Sequence, residues 1–293
     1  MVNPTVMCFG EVLFDLLPTG KVEGGAPMNV AIQLNNLGVS SGMISRVGRD
    51  SFGSELLSFL QEKGLRTDTI QIDTVHHTGI VDVDMSDPTN VQYDIVKPVA
   101  YDFIEVEAGL VNLVQQAEIF LHGSLIARNE TSKNTLLQLL ERAKMVVFDV
   151  NLRRPHYSKE ILEELLQEAD MVKMNEEELE TVAGWYGAYN EEKQAMKWLK
   201  HQFDLEAICV TRGEDGAAYL DDTGFYEHAG FEVIVADTIG SGDAFLAGFL
   251  SQKLVGKSPE ECLEFACATG ALVATFRGGT PKIDEEMVRK FLK

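Results

Sequence analysis

The chain has 293 residues, of which 45% are hydrophobic and 24% charged, and its formal net charge is -21. This length and composition allow one large domain with a buried core. The negative charge disfavours binding to the phosphate backbone of a nucleic acid, and apolar runs such as residues 145–148 and 207–210 are far shorter than the roughly 20 residues of a membrane span.

The four cysteines lie in apolar segments without Cys-x-x-Cys spacing: Cys8, Cys209, Cys262 and Cys267. This distribution favours reduced core cysteines over a disulfide framework or a zinc site. The N-terminal residues also lack the charged stretch and long apolar run of a secretory signal. We therefore expect a cytoplasmic protein whose partners are small molecules, with neither nucleic acid nor membrane among them.

The first predicted strand leads through Gly10 to Asp15. A glycine pair, Gly24-Gly25, then precedes a predicted helix with Pro27 in its first turn, a position where proline is favoured. On these residues alone, the glycine pair is compatible with an ordinary turn and Asn29 with an exposed helix position.

Two segments with alternating apolar residues, 77–85 and 91–96, are joined by a turn-rich connector at residues 86–90. This pattern predicts a β-hairpin. Because no helix follows it, we place it outside the main sheet as a small β-lid. The predicted organisation is a single domain over residues 1–293, with a lid formed by about residues 16–24 and 77–102.

Strand-like runs alternate with amphipathic helical segments between residues 118 and 213. This alternation predicts an α/β fold with parallel strands and crossover helices. Ligands bind such sheets at the carboxyl ends of the strands. The polar and glycine residues expected at that edge are Asn151, Arg153, Asn175, Thr211 and Gly213.

The segment from Asp237 to Asp243, DTIGSGD, places small flexible residues directly before a predicted helix. Backbone amides of the glycines and of the helix N-terminus can together bind an anion such as a phosphoryl group. A carboxylate at Asp243 can then accept a proton from an attacking hydroxyl. An ordinary loop in which Asp243 caps the helix is the alternative interpretation.

Other nucleotide motifs are incomplete. Residues 256–258 match the end of a P-loop, but position 251 is Ser where that motif requires Gly. A G-x-G-x-x-G pattern beginning at Gly240 fails at Phe245. A dinucleotide-dependent oxidoreductase is disfavoured because the early glycine fingerprint is missing.

Five ordered motifs resemble the ribokinase-like carbohydrate kinases, or PfkB family. Residues 24–31 resemble the N-terminal signature of the family and residues 237–243 its C-terminal signature, while 149–153, 175–178 and 211–216 resemble motifs between them. The resemblance covers essentially the whole chain. It implies a ribokinase-like α/β fold, with a mainly parallel central sheet flanked by helices and a small β-lid over the sugar. The implied activity is that of an ATP-dependent sugar kinase.

The resemblance also implies roles for residues at the phosphoryl and sugar sites. Asp243 corresponds to the catalytic base. The amides expected to form the anion hole belong to Gly240, Ser241 and Gly242. Expected sugar contacts are Asp15, Gly24, Gly25, Asn29 and Arg153. Lys97 and Tyr101, near the end of the predicted lid hairpin, are expected to reach the remaining sugar hydroxyls.

ATP and Mg2+ are the cofactors that the resemblance implies. The residues expected on the nucleotide side are Asn175, Glu178, Thr211, Gly213 and Gly216. Acidic capping of the helix that follows Asn175 is an alternative role for Glu178. Asp237 and the carbonyl of Ile239 are candidates to hold a monovalent cation such as K+, which the ammonium of Lys282 can weaken or replace.

The opening GEVLFD and the residues Gly24-Gly25-Ala26-Pro27 are closest to the fructokinase branch of the family. Val150 departs from the usual Asp-Pro-Asn-x-Arg pattern, and residues 97–102 replace a common Arg-containing lid strand. A 2-keto-3-deoxygluconate kinase or a ribokinase-type sugar kinase therefore remains an alternative. A non-catalytic sugar- or nucleotide-binding regulator is the alternative from another class, and a homodimer through the lid is a possible assembly.

Overall fold

The computed structural model describes residues 3–18, 20–84, 92–188 and 191–293. The strands, in chain order, are β1 (Val6–Phe9), β2 (Leu13–Leu17), β3 (Gly20–Gly24), β4 (Ser41–Gly48), β5 (Ile70–Asp73), β6 (Gly79–Asp84), β7 (Gln92–Ile95), β8 (Ile119–Gly123), β9 (Val146–Asp149), β10 (Met171–Asn175), β11 (Ala207–Thr211), β12 (Ala217–Leu220) and β13 (Phe225–His228).

The α-helices are α1 (Ala26–Asn36), α2 (Ser51–Glu62), α3 (Ala108–Gln116), α4 (Glu130–Leu140), α5 (Lys159–Gln167), α6 (Glu176–Gly184), α7 (Glu192–Gln202), α8 (Ser241–Leu254), α9 (Pro259–Ala274) and α10 (Glu285–Phe291). In the described part of the chain, none of the helices combines the length and the apolar character needed to cross a membrane.

The large sheet has the strand order β13-β12-β11-β10-β9-β8-β1-β4-β5. Its strands from β11 to β5 pair in parallel, and β12 and β13 extend it as an antiparallel hairpin. Helices cover both faces, so that β1, β8 and β9 are buried at every position. Such strands appear in the sequence as short continuous apolar runs, which is why the alternation between residues 118 and 213 predicted them.

Successive residues of β1 contribute to two hydrophobic cores, one on each face of the large sheet. Met7 and Phe9 pack with Phe120 and Phe148 on one face, whereas Cys8 belongs to the core on the other face, together with buried residues of α8 and α9. The alternation follows from the two-residue period of a strand. All four cysteines are buried and free, as predicted.

The small sheet has the strand order β3-β2-β6-β7. The predicted hairpin is present, because β6 and β7 pair in an antiparallel manner. Its connector at residues 86–90 lies outside the described residues. Residues 97–102 do not continue the hairpin, because Ala100–Phe103 form a 3-10 turn that Arg46 of β4 anchors by donating to the carbonyl of Phe103 at 2.8 Å.

The placement of Asp15 differs from the prediction. Residues 10–15 do not continue the first strand of the main sheet, since β1 ends at Phe9 and Asp15 lies on β2 of the small sheet. Gly10 permits this crossing with a φ of 155°, and a Cβ there would lie 2.7 Å from Cγ of Pro27. Residues 16–24 contribute to two paired strands of the small sheet, β2 and β3.

Candidate active site

A cavity of about 560 Å³ is lined by residues of the small sheet and by residues at the carboxyl ends of parallel strands in the large sheet. Most of the predicted site residues meet in its wall: Asp15, Gly24, Gly25, Asn29, Arg153, Asn175, Glu178, Thr211, Ile239, Gly240, Gly242 and Asp243. These residues come from segments far apart in sequence. As the carboxyl-end rule for parallel sheets predicts, Asn151, Arg153, Asn175 and Thr211 face one cavity, whereas Gly213 does not line it.

The N-terminus of α8 forms one end of the cavity. Gly240 precedes the helix with a φ of 75°, and a Cβ there would collide with the carbonyl oxygen of Gly279 and approach its Cα to 2.7 Å. Only glycine combines this left-handed conformation with so close a backbone approach. The amides of the first helical turn have no acceptor within the helix, so this end can bind an anion.

Ser241 differs from its two glycine neighbours, because it does not line the cavity. Its amide donates to the carbonyl of Thr238 at 3.2 Å, and its hydroxyl donates to the carbonyl of Gly270 at 3.1 Å. Of the three residues predicted to donate amides, Gly240 and Gly242 therefore line the cavity and Ser241 does not.

Asp243 is the third residue of α8, whereas Gly240 occupies the capping position. The interpretation of Asp243 as an ordinary helix cap is therefore excluded by the structure. Nδ2 of Asn29 donates to Oδ2 of Asp243 at 2.8 Å, which joins α1 to α8 within the cavity wall. Burial raises the pKa of the Asp243 carboxyl to about 6, with a further contribution from Asp149 and opposition from Lys173.

Lys173 is a cavity residue that the sequence analysis missed. It lies on β10 directly beside Asp149 of β9, and its ammonium is 2.9 Å from Oδ1 of that carboxylate. Both side chains are buried. The sequence offers one signal for this ion pair, because each of two apolar strands contains a single charged residue and buried charges are normally paired. To use that signal, however, one must know that the two strands are neighbours in the sheet.

Glu11 is another charged cavity residue that was not among the predicted site residues. It is 4% exposed, and its Oε1 accepts a hydrogen bond from the amide of Ala26 at 3.2 Å. Gly25, with a φ of 126°, leaves room for the carbonyl of Glu11, which a Cβ would overlap. Burial raises the pKa of the Glu11 carboxyl to about 7.

This raised pKa predicts a pH-dependent stability of Glu11→Gln. Ionising a buried carboxyl is unfavourable, so wild type loses stability as the pH rises from the ordinary pKa of 4.5 through about 7. The Glu11→Gln side chain cannot ionise, so the variant does not lose this stability as the pH rises. We expect the free energy of unfolding of Glu11→Gln, relative to wild type, to increase by roughly 1–3 kcal/mol between pH 5 and pH 8.5 in denaturant titrations. Glu232→Gln, at an exposed position, is the control. The prediction is contradicted if the free energy of unfolding of Glu11→Gln differs from that of wild type by the same amount at both pH values.

Asn175 and Glu178 join the start of α6 to neighbouring backbone. Oδ1 of Asn175 accepts from the amide of Glu178, and Oε2 of Glu178 accepts from the amide of Asn175, both at 2.8 Å. Oε1 of Glu178 accepts from the amide of Leu152 at 2.8 Å. The capping role considered as an alternative is thus present, and both residues also line the cavity.

Four predicted residues lie outside the cavity wall on the nucleotide and lid sides. Gly213 belongs to a 3-10 turn, and Gly216 has a φ of 83° with the carbonyl of His228 packed against its Cα, which indicates a packing role. Lys97 is exposed. Tyr101 is fully buried because its ring packs on Gly79, with the Arg128 guanidinium 4.9 Å from the ring centroid. The structure brings neither Lys97 nor Tyr101 to the cavity.

Asp237 also lies outside the wall but connects two loops near Gly240. Its Oδ1 accepts from the amide of Ile239 at 3.0 Å, and its Oδ2 accepts from the amide of Gly278 at 3.1 Å. The candidate cation residues are therefore adjacent to the segment 277–279, and Lys282 is exposed.

Comparisons with known proteins place this geometry in context. The chain matches the model of the pfkB family carbohydrate kinases over residues 6–286. It is 31% identical to a probable chloroplastic fructokinase-6 of Arabidopsis thaliana over 310 residues, covering 96% of this chain and 80% of the relative. The fructokinase of Xylella fastidiosa with bound ATP superposes with a TM-score of 0.87 at 24% identity, covering 99% of this chain and 98% of the other.

The fructokinase of Vibrio cholerae O395, in a form that binds fructose, ADP and calcium, is also similar. It superposes with a TM-score of 0.85 at 26% identity, and the match covers 98% of each chain.

Proposed function

The chain belongs to the pfkB family of carbohydrate kinases, and on that premise we propose that it transfers the γ-phosphate of ATP to a hydroxyl of fructose. The predicted ribokinase-like α/β fold and sugar kinase activity are confirmed. The observation that supports a reaction in this cavity is Asp243, whose carboxylate lies at the N-terminus of α8 between the small sheet and the strand ends.

In the proposed reaction, Asp243 is the general base. Asn29 holds Oδ2, which leaves Oδ1 to take the proton of the sugar hydroxyl. The hydroxyl oxygen attacks the γ-phosphorus, the bond from that phosphorus to the bridging oxygen of ADP breaks, and ADP leaves. The ionised carboxylate is the competent form.

The amides of Gly240 and Gly242, together with the positive end of the α8 dipole, are proposed to bind the oxygens of the transferring group. Donors fixed before the reaction stabilise charge that develops in the transition state without having to reorganise. The close packing of Gly240 on Gly279 holds this loop in place.

The sugar is proposed to bind between Asn29, Arg153 and the small sheet. Asp15 presents a carboxylate from β2. The absence of a side chain at Gly24 leaves room for this carboxylate, because a Cβ at Gly24 would lie 2.8 Å from Oδ2 of Asp15. A carboxylate accepts hydrogen bonds from hydroxyls, and an amide both donates and accepts them. Apolar residues of the small sheet also line the cavity and can exclude water from the reaction: Leu13, Val81 and Ile95.

ATP is proposed to extend from the α8 N-terminus toward Asn175, Glu178 and Thr211. Both oxygens of Glu178 already accept backbone hydrogen bonds, and no cluster of three or more His, Cys, Asp or Glu residues in the described ranges is suited to hold a metal. These residues fit a Mg2+ ion held mainly by phosphates and water, which is usual for this ion. Bound Mg2+ would neutralise phosphate charge.

Measurement of ADP release by the full chain with ATP, Mg2+ and a set of sugars tests the proposal. We expect the highest kcat/KM with fructose, compared with ribose, adenosine and 2-keto-3-deoxygluconate. A higher kcat/KM with ribose, adenosine or 2-keto-3-deoxygluconate contradicts the assignment of fructose as the substrate but not the assignment of kinase activity. Sugar binding without ADP release above the basal rate, for every sugar, supports a non-catalytic regulator instead.

A monovalent cation near Asp237 and the carbonyl of Ile239 is a further part of the proposal. Lys282 is exposed, and a solvated ammonium would not replace the cation, so we expect several-fold higher rates in K+ than in tetramethylammonium at equal ionic strength. Identical rates in the two salts would remove the cation from the mechanism.

A further inference from the structure

The cavity wall holds a buried cation that the proposed roles leave unused. Among the described residues that line the cavity, the basic side chains are Arg153 and Lys173. Arg153 is exposed, whereas Lys173 is 7% exposed. A lysine is rarely buried to this extent unless its charge has a function or a partner.

Asp149 fixes the position of the Lys173 ammonium. The two atoms of the pair are 2.9 Å apart, and Asp149 is itself 2% exposed. Oδ2 of Asp149 has no hydrogen-bond partner within the described ranges, so the one hydrogen bond of this carboxylate there comes from the ammonium. A rigid buried partner of this kind holds a flexible lysine chain in one orientation.

The ammonium retains donors for a ligand. It makes one hydrogen bond to the residues that the structure describes, although an ammonium carries three N–H groups. Buried donors are normally satisfied, so the remaining hydrogens indicate an acceptor that comes from the cavity.

The position of Lys173 identifies that acceptor. Its Nζ lies 3.4 Å from the place that a Cβ on Gly242 would occupy, beside the first turn of α8. The carboxylates of Asp149, Glu178 and Asp243 keep the pKa of Lys173 above its ordinary value despite burial, so the group stays charged. Without a cation here, a phosphate entering the site would meet mainly negative charge from the surrounding wall.

We propose that the ammonium of Lys173, held by Asp149, donates hydrogen bonds to the transferring phosphoryl group beside Gly242. This inference rests on the proposed kinase reaction and adds a catalytic residue, Lys173, and a positioning residue, Asp149. No covalent bond to the lysine is involved. Its charge offsets that of the phosphoryl oxygens while the bond to ADP breaks.

The test compares kcat and KM of four variants with those of wild type, using the sugar with the highest wild-type activity. We expect Lys173→Met to lower kcat by about 10²-fold, which is the usual loss on removing a charge-stabilising donor. Lys173→Arg should recover part of that loss. Lys200→Met is the matched control, because Lys200 also pairs with an aspartate, Asp222, but lies outside the cavity wall.

The double variant Asp149→Asn/Lys173→Met separates a catalytic from a structural role. It removes both members of the pair, so it leaves no unpaired buried charge. If the pair only stabilises the fold, the double variant should regain wild-type kcat. We expect it to fold, as judged by circular dichroism and thermal denaturation, and to remain about 10²-fold slow.

The pH profile supplies an independent readout. The groups that face Asp243 are Asn29 on α1, Asp149 and Lys173 on adjacent strands, Glu11 and Arg153. Protonation of Asp243 should reduce wild-type kcat/KM below about pH 6. Removing the Lys173 charge should move this acid limb to higher pH in Lys173→Met, because the cation favours the ionised carboxylate.

A folded Lys173→Met or double variant with wild-type kcat overturns the inference while the kinase reaction stands. An unchanged acid limb in an otherwise slow Lys173→Met would also contradict it, since the ammonium would then lie too far from the reacting groups. Inactivity of wild type toward every sugar would instead count against the proposed function itself.

Discussion

Asp243→Asn is expected to lower kcat by about 10³-fold, within the range for loss of a general base, while ATP and sugar still bind. The amide has nearly the shape of the carboxylate but cannot accept the proton of the attacking hydroxyl. Steady-state ADP release measures the rate, and calorimetric titration with each substrate measures binding.

The contact with Asn29 makes the geometry of this variant testable. Nδ2 of Asn29 now donates to Oδ2 of Asp243, and the oxygen of an introduced amide can accept the same hydrogen bond. We therefore expect the unfolding temperature to change little. Asp284→Asn, at the cap of α10 and outside the cavity wall, is the matched control and should keep full activity. A turnover of Asp243→Asn within a few-fold of wild type would exclude Asp243 as the base.

Gly240→Ala is expected to lower kcat by about 10²-fold, because the loop that carries the anion-binding amides must move. An added Cβ would overlap the carbonyl of Gly279, so either Gly240 or the segment 277–279 is displaced. A displacement of about 1 Å is sufficient for a loss of this size. Stability should also fall by roughly 1–3 kcal/mol, because alanine is strained at this positive φ.

Gly256→Ala is a control that separates the effect of backbone strain from the effect of the collision between an added Cβ and Gly279. Gly256 has a φ of 73°, close to the 75° of Gly240, but no atom lies within 4 Å of its added Cβ. The two variants should therefore share the backbone strain, and only Gly240→Ala should lose catalysis. Thermal denaturation and ADP release, measured on both proteins, decide this. Equal kcat values in the two variants would show that the anion-binding loop tolerates the displacement.

Local patterns predicted much of the main domain. The run EIFLHG became β8, MVVFDVN contained β9, and DMVKMN contained β10, with helices between them as expected. The amphipathic pattern predicts a helix over residues 130–143, and α4 ends three residues earlier, at Leu140. Parallel strands covered on both faces are mainly apolar over their whole length, so the apolar run in the sequence indicates where each strand begins and ends.

The same local information predicted the sheet edge at which the candidate residues Asn175 and Thr211 lie. Polar residues that follow buried strands, such as Asn175 and Thr211, lie at carboxyl ends that a parallel sheet brings together. Gly240, directly before α8, adopts the left-handed conformation that glycine permits, and this conformation depends on one residue and its neighbours.

Contacts between distant segments could not be predicted in this way. The burial of Tyr101 depends on Gly79 and Arg128, and the second half of residues 10–15 joins β6 in the small sheet instead of extending β1. The apolar pattern of a strand is the same whichever sheet receives it. The partner strand is selected by packing over the whole domain.

The charge pattern of the site is the clearest case of a tertiary effect. The sequence by itself determined that Asp243 follows two glycines at the start of a helix, because that arrangement is local. Only the folded chain placed Lys173 beside Asp149 and Gly242, and Glu11 beneath Gly25. Burial and the distances between these groups set the pKa of Asp243, since both alter the energy of its ionised form. Those quantities do not exist until segments distant in sequence pack together.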